Sequence, residues 1–362
     1  MGTASTMAIT TEALGLMIPN SACAPAVSAD RKRIAESTGK TAVKIAMENL
    51  KPSDYLSEKN FLNALIVLSS IGGSTNGLVH LTAMAGRLGI TIDLIKFDEI
   101  TKNLPMIVDL KPSGTGYMED LYKAGGSQRI FYELKDFLYL DAKSVNGTTL
   151  GEEIKNSAKW TQNIITDKSN PVFNAGSIAV LKGTLAPNSA IIKQSAATES
   201  LLIHEGRAVV FEGLEDLANR IDRDDLDVTK DDVLVLKSIG PKGGPGMPEA
   251  GLIPIPKKLA KQGVKDMVRI SDGRMSGTAS GTIILHVTPE SYENGPLAIV
   301  ENGDLIKLDV PKRKIDLMIS EEEIAERLLK RKELSIRRRG YNKIYMEHVT
   351  QADRGVDFDF LI

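Results

Sequence analysis

The sequence predicts a chain of two parts, a mainly helical part followed by a part rich in β-strands. Apolar residues recur at spacings of three and four over residues 29–49 and 58–69, which is typical of amphipathic helices. After residue 171, short β-branched runs are separated by Gly, Pro, Asn and Asp, a pattern typical of a barrel or a sandwich. The length of 362 residues suits two domains. The predicted domains are residues 1–168 and 169–362.

The elements of each part follow from the same patterns. The predicted helices of the first part are residues 1–17, 29–49, 58–69, 78–89, 97–102 and 116–134. The predicted strands of the second part lie within residues 177–186, 189–196, 207–213, 232–240, 266–273, 281–289, 295–304 and 305–319. A helix follows near residue 320, with Ser320 as its N-cap and Glu323 at the capping-box position.

Composition excludes several classes of protein. The 45 basic and 47 acidic residues give a net charge of −2, so no basic face for nucleic acid is expected. No apolar run approaches the roughly 18–20 residues that span a bilayer, and the N-terminus lacks the basic region of a secretory signal. The one cysteine, Cys23, excludes an internal disulfide. We therefore expect a cytoplasmic protein without a membrane partner, an organelle being the alternative location.

A loop rich in glycine and proline, KSIGPKGGPGMPEAG at residues 237–251, follows a predicted strand and carries Glu249. Its composition alone favours an ordered turn with a solvated carboxylate. Alternatively, a rigid loop holds Glu249 toward a hard cation such as Mg²⁺, which prefers oxygen ligands. One carboxylate does not complete such a site, so this interpretation needs further ligands. Lys242 in the same loop is a candidate for contact with substrate.

A second segment, DGRMSGTASG at residues 272–281, places Ser276 among small residues. One interpretation is a turn in which glycine supplies positive φ angles. The other is an exposed hydroxyl that acts as nucleophile or base, which requires activation by a neighbouring base or a metal. The sequence contains no G-x-S-x-G motif, and its four histidines are scattered. A hydrolase-type triad is therefore weakly supported.

A third segment, SIGGSTNGLVHL at residues 70–81, leads from glycines into a helix. Its backbone N–H groups are candidates for binding an anion at the helix N-terminus. Equally, Ser74, Thr75 or Asn76 simply caps the helix, and His80 is a buried histidine of the core. These four residues are candidates for lining a substrate site.

Taken together, these segments resemble the IlvD/Edd dehydratase family, and the match is collinear from the first residue to the last. The matching segments are MGTASTM (1–7), EALGLMIP (12–19), IGGSTNGLVHL (71–81), LAPNSAIIK (185–193), GPKGGPGMPE (240–249), SDGRMSGTASG (271–281), GPLAIVENGD (295–304) and HVTQADRGVDFDFL (348–361). RMSGTASGT and the QADRGVDFDFL tail are closer to the sugar-acid branch. Gly273 is a departure, because that branch commonly carries Ala there.

The resemblance implies an α/β fold, in which an α/β N-terminal domain precedes a β-barrel-like, swivelling C-terminal domain. It also implies a hydro-lyase (EC 4.2.1 type) that converts a 2,3-dihydroxy acid to a 2-keto-3-deoxy acid. The family uses an iron–sulfur cluster, [2Fe–2S] in the sugar-acid branch, together with Mg²⁺. Glu249 matches the family's Mg²⁺ carboxylate. Ser276 matches the serine that takes the C2 proton, and Thr278 lies beside it.

The family's three cluster cysteines and its other Mg²⁺ ligands match no residue of this sequence. Their expected place is upstream of Met1, and Cys23 stands where the family has a small residue that is not a ligand. We therefore expect the C-terminal two-thirds of a family member, a fragment whose N-terminal domain is incomplete and whose cluster ligands are missing.

Three functions remain open at this point. The first is the dehydration of a sugar acid by a full-length homo-oligomer, a dimer or a tetramer. The second is dihydroxy-acid dehydratase activity in branched-chain amino-acid biosynthesis, which needs an apolar pocket for the substrate's tail. The third is a non-catalytic truncated paralogue.

Overall fold

The computed structural model describes residues 1–157, 162–275, 280–331 and 339–361. The chain divides into two compact units. The first unit comprises residues 1–91 and 96–177, and the second comprises residues 92–95 and 178–362. The described part is a mixed α/β protein, with helices in the first unit and a large sheet in the second.

The first unit is helical, as its apolar periodicity predicts. Its helices are α1 (Thr3–Ala13), α2 (Ala29–Glu48), α3 (Glu58–Ser70), α4 (Asn76–Gly86), most of α5 (Leu94–Thr101), α6 (Met118–Lys123), α7 (Gly126–Glu133) and α8 (Leu150–Ile154). Ile9, Ile107 and Phe131 are fully buried members of its hydrophobic core. The β-like run at residues 106–108 forms only isolated bridges, which pair Met106 with Phe173 and Val108 with Ile165.

The second unit is built on one eight-stranded sheet. Its strands are β1 (Ala179–Leu181), β2 (Ser189–Ile192), β3 (Ile203–Phe211), β4 (Val233–Leu236), β5 (Arg269–Ser271), β6 (Ile283–Thr288), β7 (Leu305–Asp309) and β8 (Lys314–Leu317). Their order is β1-β2-β6-β5-β4-β3-β7-β8. A bridge between Lys182 and Lys314 joins the two outer strands. The sheet is therefore nearly closed, which confirms the prediction of a barrel-like architecture.

The middle of this sheet is parallel and is covered on both faces. β3, β4, β5 and β6 are parallel neighbours. Side chains alternate between the two faces along β4. Val233 and Val235 face the main core, whereas Leu234 and Leu236 pack in a second cluster. Parallel strands are normally buried on both faces in this way, which explains the almost continuous apolar sequence of β4.

One predicted strand is wrong. Residues 295–304 were expected to form a strand, but Pro296–Ile299 form a 3₁₀ helix. Pro296 has no N–H to donate to a sheet, and a side chain at Gly295 would place its Cβ 1.8 Å from the Pro289 carbonyl oxygen. The β-branched composition of the segment is overridden by this local geometry.

The second unit also carries four helices among its described residues. They are α9 (Leu214–Arg220), α10 (Lys257–Lys261), α11 (Glu321–Lys330) and α12 (Gly340–His348). Ser320 caps α11, because its Oγ accepts a hydrogen bond from the Glu323 N–H at 3.1 Å, as predicted. Among the helices that the structure describes, none is both long and apolar enough to cross a membrane.

The burial of Ile284 in the main core predicts how much stability is lost when a cavity is made in β6. Ile284 is fully buried in the main core, so Ile284→Ala is expected to lower the free energy of unfolding by about 2–5 kcal/mol. Urea denaturation of the two proteins measures the difference. Leu329 is largely exposed on α11, so Leu329→Ala is the control, with a change within about 0.5 kcal/mol. Equal losses for both variants would contradict this placement of the core.

Candidate active site

Two loops leave the carboxyl ends of adjacent parallel strands. β4 and β5 pair in parallel, with Leu236 opposite Ser271. The glutamate loop (residues 237–251) follows β4, and the serine loop (residues 272–282) follows β5. The carboxyl ends of parallel strands are where ligands usually bind in α/β sheets. The topology thus brings together two segments that are far apart in the sequence.

The Asp272 carboxylate connects the two loops. It accepts hydrogen bonds from the N–H groups of Ser238 at 3.2 Å and Ile239 at 3.0 Å, both in the glutamate loop. It also accepts one from the Ser291 N–H at 2.9 Å. Burial raises the pKa of Asp272, while these N–H groups act to lower it. A single buried side chain therefore fixes the start of both loops.

Further contacts run along the two loops. The Arg274 guanidinium donates a hydrogen bond to the Met247 carbonyl oxygen, and the Gly251 N–H donates to the Arg274 carbonyl oxygen at 2.8 Å. A Cβ at Gly273 would lie 2.4 Å from the Ile239 Cδ1. The departure from Ala to Gly at residue 273 therefore permits a close approach of the loops.

A second buried carboxylate, Glu290, holds the middle of the glutamate loop. It accepts hydrogen bonds from the Lys242 N–H at 2.9 Å, the Gly243 N–H at 3.0 Å and the Gln351 Nε2 at 2.7 Å. Burial raises the pKa of Glu290 to about 7, although these donors act to lower it. A Cβ at Gly240 would lie 2.7 Å from the Glu290 Oε2, so a larger residue does not fit there.

The C-terminal part of the chain completes this support. The Tyr345 hydroxyl donates a hydrogen bond to the Pro241 carbonyl oxygen at 2.8 Å and accepts one from the Gly246 N–H at 2.7 Å. Sequence reasoning missed Glu290, Tyr345 and Gln351, because no local pattern shows which distant side chain satisfies a loop's N–H groups. Two of the supporting residues do lie in segments that match the family, Asp272 in SDGRMSGTASG and Gln351 in HVTQADRGVDFDFL.

The far end of the serine loop is held by a network of charged and hydroxyl groups. Gly281 has a φ of +119°, and a Cβ there would lie 2.0 Å from the Arg269 Nη2. Asp266 pairs with Arg269 at 2.7 Å and accepts hydrogen bonds from the Thr282 N–H at 2.9 Å and the Thr198 Oγ1 at 2.7 Å. Glycine is thus required at residue 281 both for its backbone angle and for space.

The predicted site residues of the second unit lie on these loops. Glu249 is exposed near the end of the glutamate loop. Lys242 is partly buried, and its ammonium pairs with Glu293. Ser276 and Thr278 lie outside the described residues, so their catalytic roles stay predictions.

The remaining predicted site residues lie in the first unit. Ser74 and Asn76 are fully buried, and both contact the Thr3 hydroxyl, at 3.1 Å each. Thr75 is the N-cap of α4 but makes no capping hydrogen bond with its side chain, and His80 is partly buried. These hydrogen bonds join α1 to the start of α4, and a role in binding substrate stays a prediction.

The described residues do not fit an iron–sulfur cluster or a complete Mg²⁺ site. Cluster ligation requires thiolates, yet burial and the neighbouring Glu12 charge raise the pKa of the Cys23 thiol to about 12. Within the described ranges, no group of three or more His, Cys, Asp or Glu side chains could hold a metal ion. Glu249 offers one exposed carboxylate for a hard cation.

Two family models match nearly the whole chain. The model described as dihydroxy-acid/6-phosphogluconate dehydratase N-terminal matches residues 1–153. The corresponding C-terminal model matches residues 163–356, which include both loops. The chain belongs to the dihydroxy-acid/6-phosphogluconate dehydratase family.

Similar proteins carry several dehydratase names. The chain is 44% identical to an L-arabinonate dehydratase of Rhizobium leguminosarum bv. trifolii, over 97% of this chain and 61% of that protein. It is 39% identical to a 6-deoxy-6-sulfo-D-gluconate dehydratase of Pseudomonas putida, over 100% of this chain and 63% of that protein. It is also 39% identical to a dihydroxy-acid dehydratase of Methanococcoides burtonii, over 98% of this chain and 64% of that protein. The chain thus spans less than two thirds of each relative's length.

The raised pKa of Glu290 predicts how stability depends on pH. Between pH 4.5, the ordinary pKa of a glutamate, and about pH 7, the folded chain keeps a proton on Glu290 that the unfolded chain releases. This carboxyl therefore makes the fold less stable as pH rises through that window. Glu290→Gln does not titrate, so its Tm is expected to decline less steeply between about pH 5 and pH 7.

Thermal unfolding at several pH values measures the two slopes. Glu326→Gln is the matched control, because Glu326 is an exposed residue of α11 that pairs with Lys330. Its slope is expected to equal that of the unmodified chain. Parallel curves for all three proteins would contradict the assignment of this titration to Glu290.

Proposed function

We propose that this chain acts in a hydro-lyase that removes water from a 2,3-dihydroxy acid, and that the acid is a sugar acid. The observation that carries the proposal is the juxtaposition of the glutamate and serine loops at the carboxyl ends of β4 and β5. Family membership supports the reaction class, and the names of relatives such as L-arabinonate dehydratase support the substrate class.

The reaction breaks the C2–H bond and the C3–O bond of the acid. The C2 proton goes to a base, the C3 oxygen leaves as hydroxide and becomes water, and the enol product relaxes to a 2-keto-3-deoxy acid. The base in this proposal is Ser276, which directly follows Met275 in the serine loop. A serine hydroxyl is a poor base unless a neighbouring group activates it, so the surroundings of this loop decide whether it can act.

The contacts of the serine loop's described residues support this role. Asp272 and Arg274 hold its start to the glutamate loop, and Arg269 and Asp266 hold its end. An iron–sulfur cluster would act as a Lewis acid on the C3 hydroxyl, but since the described residues do not fit one, no step of this proposal depends on it.

A substrate panel tests the proposal. The purified chain is incubated without oxygen with L-arabinonate, D-gluconate or 2,3-dihydroxyisovalerate, and 2-keto acid is measured as its semicarbazone. We expect product from a sugar acid, and Ser276→Ala is expected to lower kcat about 10²–10⁴-fold, the usual contribution of general base catalysis.

The control for this test is Ser200→Ala, because Ser200 is exposed and outside both loops. Its rate is expected to equal that of the unmodified chain. Product from 2,3-dihydroxyisovalerate alone would favour dihydroxy-acid dehydratase activity instead. No product from any of the three acids would argue against the proposal and favour a non-catalytic paralogue.

A further inference from the structure

A single hydroxyl group from α12 closes a turn in the middle of the glutamate loop. The Tyr345 hydroxyl donates a hydrogen bond to the Pro241 carbonyl oxygen at 2.8 Å and accepts one from the Gly246 N–H at 2.7 Å. Both distances are those of well-formed hydrogen bonds. The bridge spans residues 242–245, whose sequence is KGGP. A side chain from outside the loop therefore holds the two ends of this turn together.

The Tyr345 ring is itself held in place. The ring of Phe358 packs edge-to-face against it, with the two centroids 6.0 Å apart and the planes at 82°. Phe358 also forms a bridge with Val349, which keeps the end of the chain beside α12. Burial raises the pKa of Tyr345, so its hydroxyl keeps its proton near neutral pH. The hydroxyl can thus act as donor and acceptor at the same time.

The closed turn leads directly to Glu249. Met247 is the first residue after the turn, is buried, and has a φ of +45°. A non-glycine residue keeps such a conformation only where its surroundings enforce it. The Met247 N–H donates a hydrogen bond to the Gly244 carbonyl oxygen at 2.6 Å, and its carbonyl oxygen accepts one from the Arg274 guanidinium. Glu249 comes two residues later and is exposed. The direction in which Glu249 leaves the loop therefore depends on how firmly the preceding turn is held.

The first half of the turn has an anchor of its own. The buried Glu290 carboxylate accepts hydrogen bonds from the main-chain N–H groups of residues 242 and 243. The Tyr345 hydroxyl instead bonds the N–H of Gly246, at the end of the turn. Removal of this hydroxyl is therefore expected to loosen the half of the turn that leads to the exposed carboxylate, and to leave the first half in place.

We propose that Tyr345 is a positioning residue for the dehydration, and that its hydroxyl acts by fixing the turn from which the loop presents Glu249. This inference rests on the proposed function, in which the glutamate and serine loops form one site. Tyr345 acts through the glutamate loop and not by contact with the acid. A displacement of about 1 Å in a group that orients a substrate can lower a rate about 10²-fold. The hydroxyl thus influences the reaction by placing another side chain.

A spin label at residue 249 tests the positioning without requiring turnover. Glu249→Cys is labelled with a nitroxide reagent. The natural cysteine, Cys23, is buried, so labelling of the chain without Glu249→Cys should give no signal. The EPR spectrum of the labelled chain is expected to contain a slow component. Addition of Tyr345→Phe is expected to convert this component to a faster one.

The substitution is chosen so that the chain still folds. Phenylalanine keeps the ring that packs on Phe358, and Gly246 is exposed, so water can bind the N–H that loses its partner. Tyr341→Phe is the matched control, because it removes a hydroxyl from an exposed residue of the same helix. The control should leave the spectrum of the label unchanged.

Turnover tests the effect on the reaction. Tyr345→Phe is expected to lower kcat/KM for the sugar acid about 10- to 100-fold, whereas Tyr341→Phe should leave it unchanged. In a Glu249→Gln background, Tyr345→Phe should have little further effect, because two substitutions that act through one group are not additive. A merely structural role for Tyr345 would lower kcat/KM by the same factor in both backgrounds.

The two measurements distinguish the failure of this inference from the failure of the proposed function. A label whose spectrum is unchanged by Tyr345→Phe overturns the positioning. Equal factors in the two backgrounds overturn it too, as does a Glu249→Gln variant with the rate of the unmodified chain. An unmodified chain that forms no 2-keto acid counts against the proposed function, and the label then decides whether Tyr345 fixes the loop.

Discussion

The hydrogen bonds that the Asp272 carboxylate accepts hold the glutamate loop and the serine loop in place, and the arrangement of the candidate site depends on them. This carboxylate is fully buried at the end of β5 and accepts N–H groups from the glutamate loop and from the start of a 3₁₀ turn near Ser291. Unpaired N–H groups at such a position would each cost about 1–3 kcal/mol. A carboxylate with several acceptor sites satisfies three of them at once. The position of one loop relative to the other is therefore fixed by a single side chain.

Side chains from distant segments also satisfy main-chain groups in the next turn of the glutamate loop. Glu290 and Tyr345 come from segments that are distant in sequence, yet both bind main-chain groups of this loop. Loops rich in glycine and proline bury few side chains of their own, so their shape must be fixed by outside groups. The structure shows why glycine is needed at two places: Gly240 of the glutamate loop lies against Glu290, and Gly273 of the serine loop lies against Ile239, so a Cβ at either would be crowded.

Much of the fold could be predicted from the sequence. The periodicity of α2 and α3 and the apolar runs of β4 and β6 are local signals, and each lies close to the predicted residues. The strand at residues 295–304 could not be excluded in this way, because its composition is that of a strand and its conformation is set by Pro296 and the space at Gly295.

In the candidate site, too, some residues could be predicted from local sequence and others could not. Glu249, Ser276 and Asp272 lie in segments that stand out in the sequence, whereas Glu290 and Tyr345, which also hold the glutamate loop, do not. The hydrogen-bond partners of the buried Glu290 carboxylate come from two separate segments, residues 242–243 and Gln351, and only the folded chain brings them together.

The closure of the sheet has a consequence for how the second unit folds during synthesis. The bridge between Lys182 and Lys314 joins its first strand to its last one, and Tyr345 is needed to hold the glutamate loop. Contacts between such distant residues form late, since the entropy of closing a long loop is lost before they stabilise the fold. A ribosome must release nearly the entire unit before these loops take up their final positions. Premature termination near the end of the message would thus yield a chain with most of its strands and an unsupported site.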